Sequence, residues 1–105
     1  AKAGKLIYEG QAFDKNLLPE FFKGINAKQL GGTWGLGVHI RKNAQGTSYG
    51  HSGFFPGYIT NMLYFPESKF SIAFQVNTSN PENLTIYRKL FKLIPTLKKY
   101  ISDVE

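Results

Sequence analysis

Tyr49 to Phe70 reads YGHSGFFPGYITNMLYFPESKF. The stretch opens on His51-Ser52-Gly53, passes through Phe54, Phe55, Pro56 and Gly57, and continues as an apolar-rich run from Tyr58 to Phe65. Pro66-Glu67-Ser68-Lys69 then breaks the run, as a turn does between two strands. Working outward, Phe70, Ile72, Phe74 and Val76 alternate with Ser71, Ala73, Gln75 and Asn77, which predicts a strand over 70–77. On the other side, Trp34, Leu36, Val38 and Ile40 alternate with Gly35, Gly37, His39 and Arg41, which predicts a strand over 34–42 with the first set inward. Asn43-Ala44-Gln45-Gly46 is a hairpin turn with Gly at a positive-φ position, and residues 47–53 return antiparallel carrying the His-Ser-Gly triplet.

The flanks read as helices. Residues 1–10 mix helix formers with apolar positions and stop at Gly10. Asp14 precedes Leu17, Leu18, Phe21 and Phe22, a short amphipathic helix over 15–23 with Pro19 in its first turn and Gly24 at its end. Asn26 to Thr33 reads as a polar, Gly-rich loop. From Glu82, the residues Leu84, Tyr87, Leu90, Phe91, Ile94, Leu97 and Ile101 mark the inner face of a helix over 82–101, with Lys and Arg opposite. Pro95 inside it predicts a kink or a split near Ile94. The fold class is therefore α+β: a four-stranded antiparallel meander (34–42, 47–53, 58–65, 70–77) with short N-terminal helices and a C-terminal helix.

With 105 residues the chain is one domain at most, and 42% hydrophobic against 19% charged residues excludes a disordered polymer. Aromatics make up 15%, so the core is expected to be built on rings. No cysteine is present, which removes disulfides, thiolate metal sites and Cys nucleophiles together. The net charge is +6, with a basic group at Arg88, Lys89, Lys92, Lys98 and Lys99. No Arg-rich run or aromatic-basic interleaving accompanies it, so these cations read as a solvated helix face and no nucleic-acid partner is expected. No apolar run reaches the length of a membrane span. The chain opens on Ala1-Lys2-Ala3 without Met, and a four-strand meander under one helix leaves an edge and much aromatic surface uncovered. Both features read as a fragment of a larger domain, whose exposed edge predicts self-association or the swapping of an element.

Four segments together carry a resemblance: Tyr49-Gly50-His51-Ser52-Gly53, Pro56-Gly57-Tyr58, Tyr64-Phe65-Pro66-Glu67, and Gln75-Val76-Asn77-Thr78-Ser79-Asn80. In this order and spacing, with Trp34-Gly35-Leu36-Gly37-Val38 ahead of them, the chain resembles the C-terminal part of the serine β-lactamase and penicillin-binding-protein superfamily. Within it, the nearest branch is that of class C β-lactamases, DD-peptidases and related esterases. The resemblance spans nearly the whole chain. It implies a portion of the β-lactamase/transpeptidase-like fold and an active-site-serine hydrolase acting on a D-amino-acid peptide, a β-lactam or an ester. It implies no cofactor and no metal, and a periplasmic or extracellular bacterial setting. The alternative is a non-catalytic penicillin-binding-like module for binding or scaffolding.

By the same resemblance His51 takes the first position of the Lys/His-Thr/Ser-Gly triplet, beside the Tyr of the base motif and near the substrate carboxylate or leaving group. Ser52 offers its hydroxyl to substrate or to that network, Gly53 lets a ligand lie close to the strand, and the backbone N–H of Phe54 is the second oxyanion donor. Phe55 and Tyr58 are candidate substrate contacts, although Phe54, Phe55 and Tyr58 are read first as packing residues. His39 is read as an ordinary surface histidine on the polar face of its strand. No Ser is followed three residues later by Lys, and neither Tyr-x-Asn nor Ser-x-Asn occurs, so the nucleophile and base motifs are expected on a preceding N-terminal part of the same parent chain, the first partner of this segment. Two departures, His51 in place of Lys and Glu82 after Pro81 in place of Asn, point away from a cephalosporinase and toward the peptidase and esterase branch.

Overall fold

A computed structural model describes residues 1–104. The chain is α+β, with a six-stranded antiparallel sheet in the order β1 to β6 and a C-terminal helix. The strands are β1 (Ile25–Ala27), β2 (Gly32–Trp34), β3 (His39–Asn43), β4 (Gly46–Phe55), β5 (Tyr58–Phe65) and β6 (Phe70–Val76). Helix α1 (Lys2–Tyr8) precedes them, a 3-10 turn (Lys15–Leu17) leads into the short α2 (Leu18–Phe21), and α3 (Leu84–Val104) ends the described chain. The chain divides into two compact units, one of Ala1–His51 with Met62–Ala73, the other of Ser52–Asn61 with Phe74 onward. Strands β4, β5 and β6 each contribute residues to both.

The sheet departs from the expected four strands in one region, and the cause is local. Residues 34–42 do not form one strand, because the chain turns back on itself at Gly35–Val38. The Gly35 N–H donates to the Val38 carbonyl at 2.8 Å, and Gly37 sits at φ +67°, a conformation that side-chain-bearing residues resist. Trp34 therefore ends β2 and His39 begins β3, and the two are antiparallel partners. The expected loop over 26–33 is not one either: Ile25–Ala27 pairs with Gly32–Trp34, separated by a 3-10 turn at Lys28–Leu30. Leu36, expected inward by alternation, lies in the turn and is exposed.

In the first unit the core is a set of rings around Tyr8. Its ring lies 5.9 Å from those of Tyr49 and Tyr64, and 6.1 Å from those of Phe21 and Phe22. Val38 is fully buried beside Tyr8 and Tyr64, and Ile7, Ile40 and Met62 pack around them. Helix α1 delivers Tyr8 to this cluster and stops at once: Gly10 donates to the Ile7 carbonyl and Gln11 to the Leu6 carbonyl, the double bond of a Schellman end. Asp14 caps the following turn by accepting from the Asn16 N–H at 3.0 Å. The Tyr64 hydroxyl donates to Glu9 Oε1 at 2.8 Å, which ties the end of α1 to β5. Burial, then this hydrogen bond and the charge of Glu9, push the Tyr64 phenol up to about 12. Gly50 stands where β4 passes so close to β5 that an added Cβ would overlap the Met62 carbonyl oxygen.

In the second unit, α3 lays Tyr87 and Phe91 against Phe74 of β6, with ring centroids 5.5 Å and 5.2 Å away. Ile94 is fully buried one turn further on. The Asn61 amide donates to the Tyr87 hydroxyl at 2.8 Å. Helix α3 runs unbroken from Leu84 to Val104 through Pro95, which lies on its exposed side, so of the kink or split expected near Ile94 the split does not occur.

Candidate functional site

Strand β4 carries the triplet through its second half and ends at Phe55. Pro56-Gly57 makes a two-residue connection to β5, with Gly57 at φ +92°. Pro at the second and Gly at the third position of a turn is the type II pattern, since Pro presets φ near −65° and Gly takes the positive φ. The turn is held from the side: the Gly57 N–H donates to Ser79 Oγ at 2.8 Å. Two of the segments that carry the family resemblance, Pro56-Gly57-Tyr58 and Asn77 to Asn80, thus meet through one hydrogen bond in the second unit.

His51, Ser52 and Gly53 are all exposed. His51 belongs to the first unit, where its ring meets that of Trp34 edge-on at 5.3 Å. Trp34 in turn stacks on His39 at 4.4 Å with the planes 6° from parallel. The Trp34 indole N–H donates to the Leu30 carbonyl at 3.2 Å, which holds the ring in place. Burial lowers the His39 pKa below the ordinary histidine value, and the neighbouring charges of Arg41 and His51 lower it further. A neutral imidazole therefore backs the Trp34 ring on which His51 rests. The sequence reading set His39 aside as an ordinary surface residue and gave Trp34 no site role. The turn at Gly35–Val38 is what brings both to His51.

Ser52, Gly53, Phe54, Phe55 and Tyr58 belong to the second unit. Phe54 and Phe55 are 71% and 70% exposed, and Tyr58 is exposed as well, so none of the three packs into a core as first expected. The hairpin end presents apolar rings to solvent beside a serine hydroxyl. Gly53 has a packing reason of its own: a Cβ there would overlap Thr60 Oγ1 across the hairpin. A side chain at Gly53 would therefore require Thr60 to turn aside, whether or not a ligand lies against the strand.

A cleft of about 870 Å³ opens elsewhere in the first unit, between Phe22 and Tyr49 on one side and the β2–β3 region on the other. His39, Arg41 and Lys42 line it and no carboxylate does. In a regular strand Lys42 shares a face with Ile40, whereas His39 and Arg41 share the opposite one, so the two cations, Arg41 and Lys42, do not converge on a single point. Among the described residues no group of three His, Cys, Asp or Glu side chains could hold a metal ion, and no helix is long and apolar enough to cross a membrane. No family model matches the chain, and no curated protein matches it.

Proposed function

We propose that this chain is the C-terminal part of an active-site-serine hydrolase of the β-lactamase and penicillin-binding-protein superfamily, in its peptidase and esterase branch. The observation that carries the reading is the β4–β5 hairpin. His51, Ser52 and Gly53 follow one another on an exposed strand that ends in a Pro-Gly turn tied to Ser79. An acyl-transfer cleft needs one wall built as an accessible extended strand. Along it a substrate backbone can lie, with polar groups at fixed depth and N–H donors at the developing oxyanion. In this reading His51 supplies a positioned imidazole beside the Tyr of the base motif, Ser52 a hydroxyl, and Phe54 its backbone N–H. Phe55 and Tyr58 offer the apolar flank for substrate. The nucleophile and its lysine come from outside these 105 residues, since no Ser-x-x-Lys occurs within them.

The coding sequence of the parent tests this first: a Ser-x-x-Lys and a Tyr-x-Asn or Ser-x-Asn ahead of this segment are expected. Their absence would leave the non-catalytic binding module as the reading. In a parent that has them, fluorescent penicillin should label the serine, and His51→Ala should lower acylation by about 10²–10⁴-fold, the usual cost of losing a positioned acid or base. The 105-residue chain by itself should neither take the label nor turn over nitrocefin or p-nitrophenyl esters, because oxyanion donors cannot replace a covalent step. Labelling of the isolated chain would overturn the assignment.

A further inference from the structure

Helix α3 has two apolar stripes, and only one of them is used. Tyr87, Phe91 and Ile94 face inward in the second unit. One residue back along the helix, Ile86, Leu90, Leu93, Leu97, Tyr100 and Val104 form a second stripe with spacings of four, three, four, three and four. That is an uninterrupted heptad seam over more than five turns, the spacing that keeps one line of side chains facing a partner helix. Leu90 is half-buried, and the other five are 39–71% exposed. Arg88, Lys92, Lys98 and Lys99 lie away from the seam, and Lys89 is the one cation that flanks it.

We propose that this seam is a self-association surface, on which a second copy of the chain docks its own α3 in the antiparallel direction. The register follows from the sequence. A two-fold axis near residue 95 sets Leu93 opposite Leu97 of the second copy, Leu90 opposite Tyr100, and Ile86 opposite Val104. The one ring, Tyr100, then meets the aliphatic Leu90 rather than itself, and the contact is self-complementary, as a two-fold interface requires. The charges select the direction. Among the positions that flank the seam, Lys89 and Asp103 carry the only charges, of opposite sign and near opposite ends of the helix. An antiparallel pair brings Lys89 of each copy beside Asp103 of the other, whereas a parallel pair leaves both without an opposite charge and stacks Tyr100 on Tyr100. Opposed helix dipoles favour the same direction. Because α3 is already fixed by its inner stripe, docking does not have to meet the cost of ordering a free helix. A membrane surface fits less well: it favours one wide apolar face, and here the apolar line is narrow while the adjoining stripe is already packed.

Sedimentation velocity of the 105-residue chain over a wide concentration series should show a monomer–dimer equilibrium. Leu97→Glu should weaken it by roughly 100-fold or more, since each dimer loses the seam twice, with the far-UV circular dichroism unchanged because Leu97 is partly exposed already. Asp103→Lys should weaken it by about tenfold through the two lost charge pairs, and Lys89→Asp in the same chain should restore it. The chain has no cysteine, so direction can be read by cross-linking. Thr96→Cys, which meets itself across the two-fold, should form a disulfide dimer under mild oxidation, and Leu93→Cys alone should not. A chain that stays monomeric throughout overturns the proposal, as does a dimer that Leu97→Glu leaves intact, which would place the contact elsewhere, such as the outer edge of β6. Cross-linking through Leu93→Cys but not Thr96→Cys overturns the antiparallel register. A monomer that co-sediments with phosphatidylglycerol vesicles, and loses this with Leu97→Glu, overturns the proposal in favour of a lipid surface.

Discussion

Tyr64→Phe removes one oxygen atom and should make stability depend on pH in a way that identifies the Tyr64–Glu9 contact. Tyr64 is buried, its hydroxyl donates to Glu9 Oε1 at 2.8 Å, and its phenol is pushed from 10.0 up to about 12. The folded state therefore prefers the protonated phenol. Below pH 10 both folded and unfolded chains keep that proton and the preference contributes in full. As pH rises from 10 to 12 the unfolded chain releases it first, and stability falls. Two pKa units correspond to about 2.7 kcal/mol at about 1.4 kcal/mol each, with about half lost by pH 11. At neutral pH the variant loses a hydrogen bond to a charged group, worth about 1.5–3 kcal/mol. The half-buried Glu9 carboxylate regains part of this from water, so Tyr64→Phe should be less stable by about 1–2 kcal/mol at pH 7. Urea titrations of both proteins at fixed pH between 7 and 11, followed by circular dichroism, measure the gap directly. The burial-raised Tyr8 loses stability in the same alkaline window in both proteins and cancels from the difference. The gap should shrink toward zero by pH 11. A gap at pH 11 equal to that at pH 7 refutes the reasoning.

Gly50→Ala should destabilise the first unit by roughly 3 kcal/mol or more, because its Cβ would overlap the Met62 carbonyl oxygen and one of the two strands must move; a thermal midpoint within a few degrees of the unaltered chain would contradict it. His39 should titrate by NMR below 6.5, and its contribution to stability should be present above pH 6.5 and fade as pH falls through that lowered value. His39→Phe, which keeps a ring against Trp34, should remove this acid dependence, and an unchanged acid limb would count against the stacked, neutral imidazole. Gly53→Ala should destabilise the hairpin, and Thr60→Gly in the same chain should recover most of the loss by clearing the overlapped hydroxyl. If Thr60→Gly recovers nothing, the packing account of Gly53 fails.

Much of the sheet was legible because alternation is a local signal. Tyr58–Phe65 and Phe70–Val76 lie where turn residues on either side bound them, and Phe70, Ile72, Phe74 and Val76 are the more buried set of β6. The same rule failed at Trp34-Gly35-Leu36-Gly37-Val38. Alternation there is unbroken, yet two of the five residues are Gly, and Gly is the one residue that can let a chain turn while preserving the apparent pattern. Part of what holds the turn lies outside the segment: besides the Gly35–Val38 bond within it, the Leu36 N–H donates to the Phe21 carbonyl at 3.0 Å, a contact to a residue that α2 brings in. The short β1 and β2 were illegible for a related reason. Three residues are too few for a period, and their pairing is set by partners rather than by composition.

The site shows the same division between what a string of residues states and what a fold adds. The His-Ser-Gly triplet stood out as a motif, but a motif names its members in sequence order and says nothing of neighbours that arrive from other strands. One continuous strand over 34–42 would put Trp34 and His39 on opposite faces. Turning at Gly35–Val38 makes them partners, and that change of face builds the stack of His39, Trp34 and His51. His39→Ala is for this reason a poor control for His51→Ala, since it removes the ring that backs Trp34. Gly53 carries the opposite lesson. A glycine that looks placed for a ligand also has Thr60 Oγ1 where a Cβ would stand, so local packing is by itself a reason for it. The functional reading rests instead on the exposed stretch of the hairpin: His51 held edge-on against Trp34, then Ser52, and two phenyl rings at Phe54 and Phe55 that face solvent although burial would stabilise them.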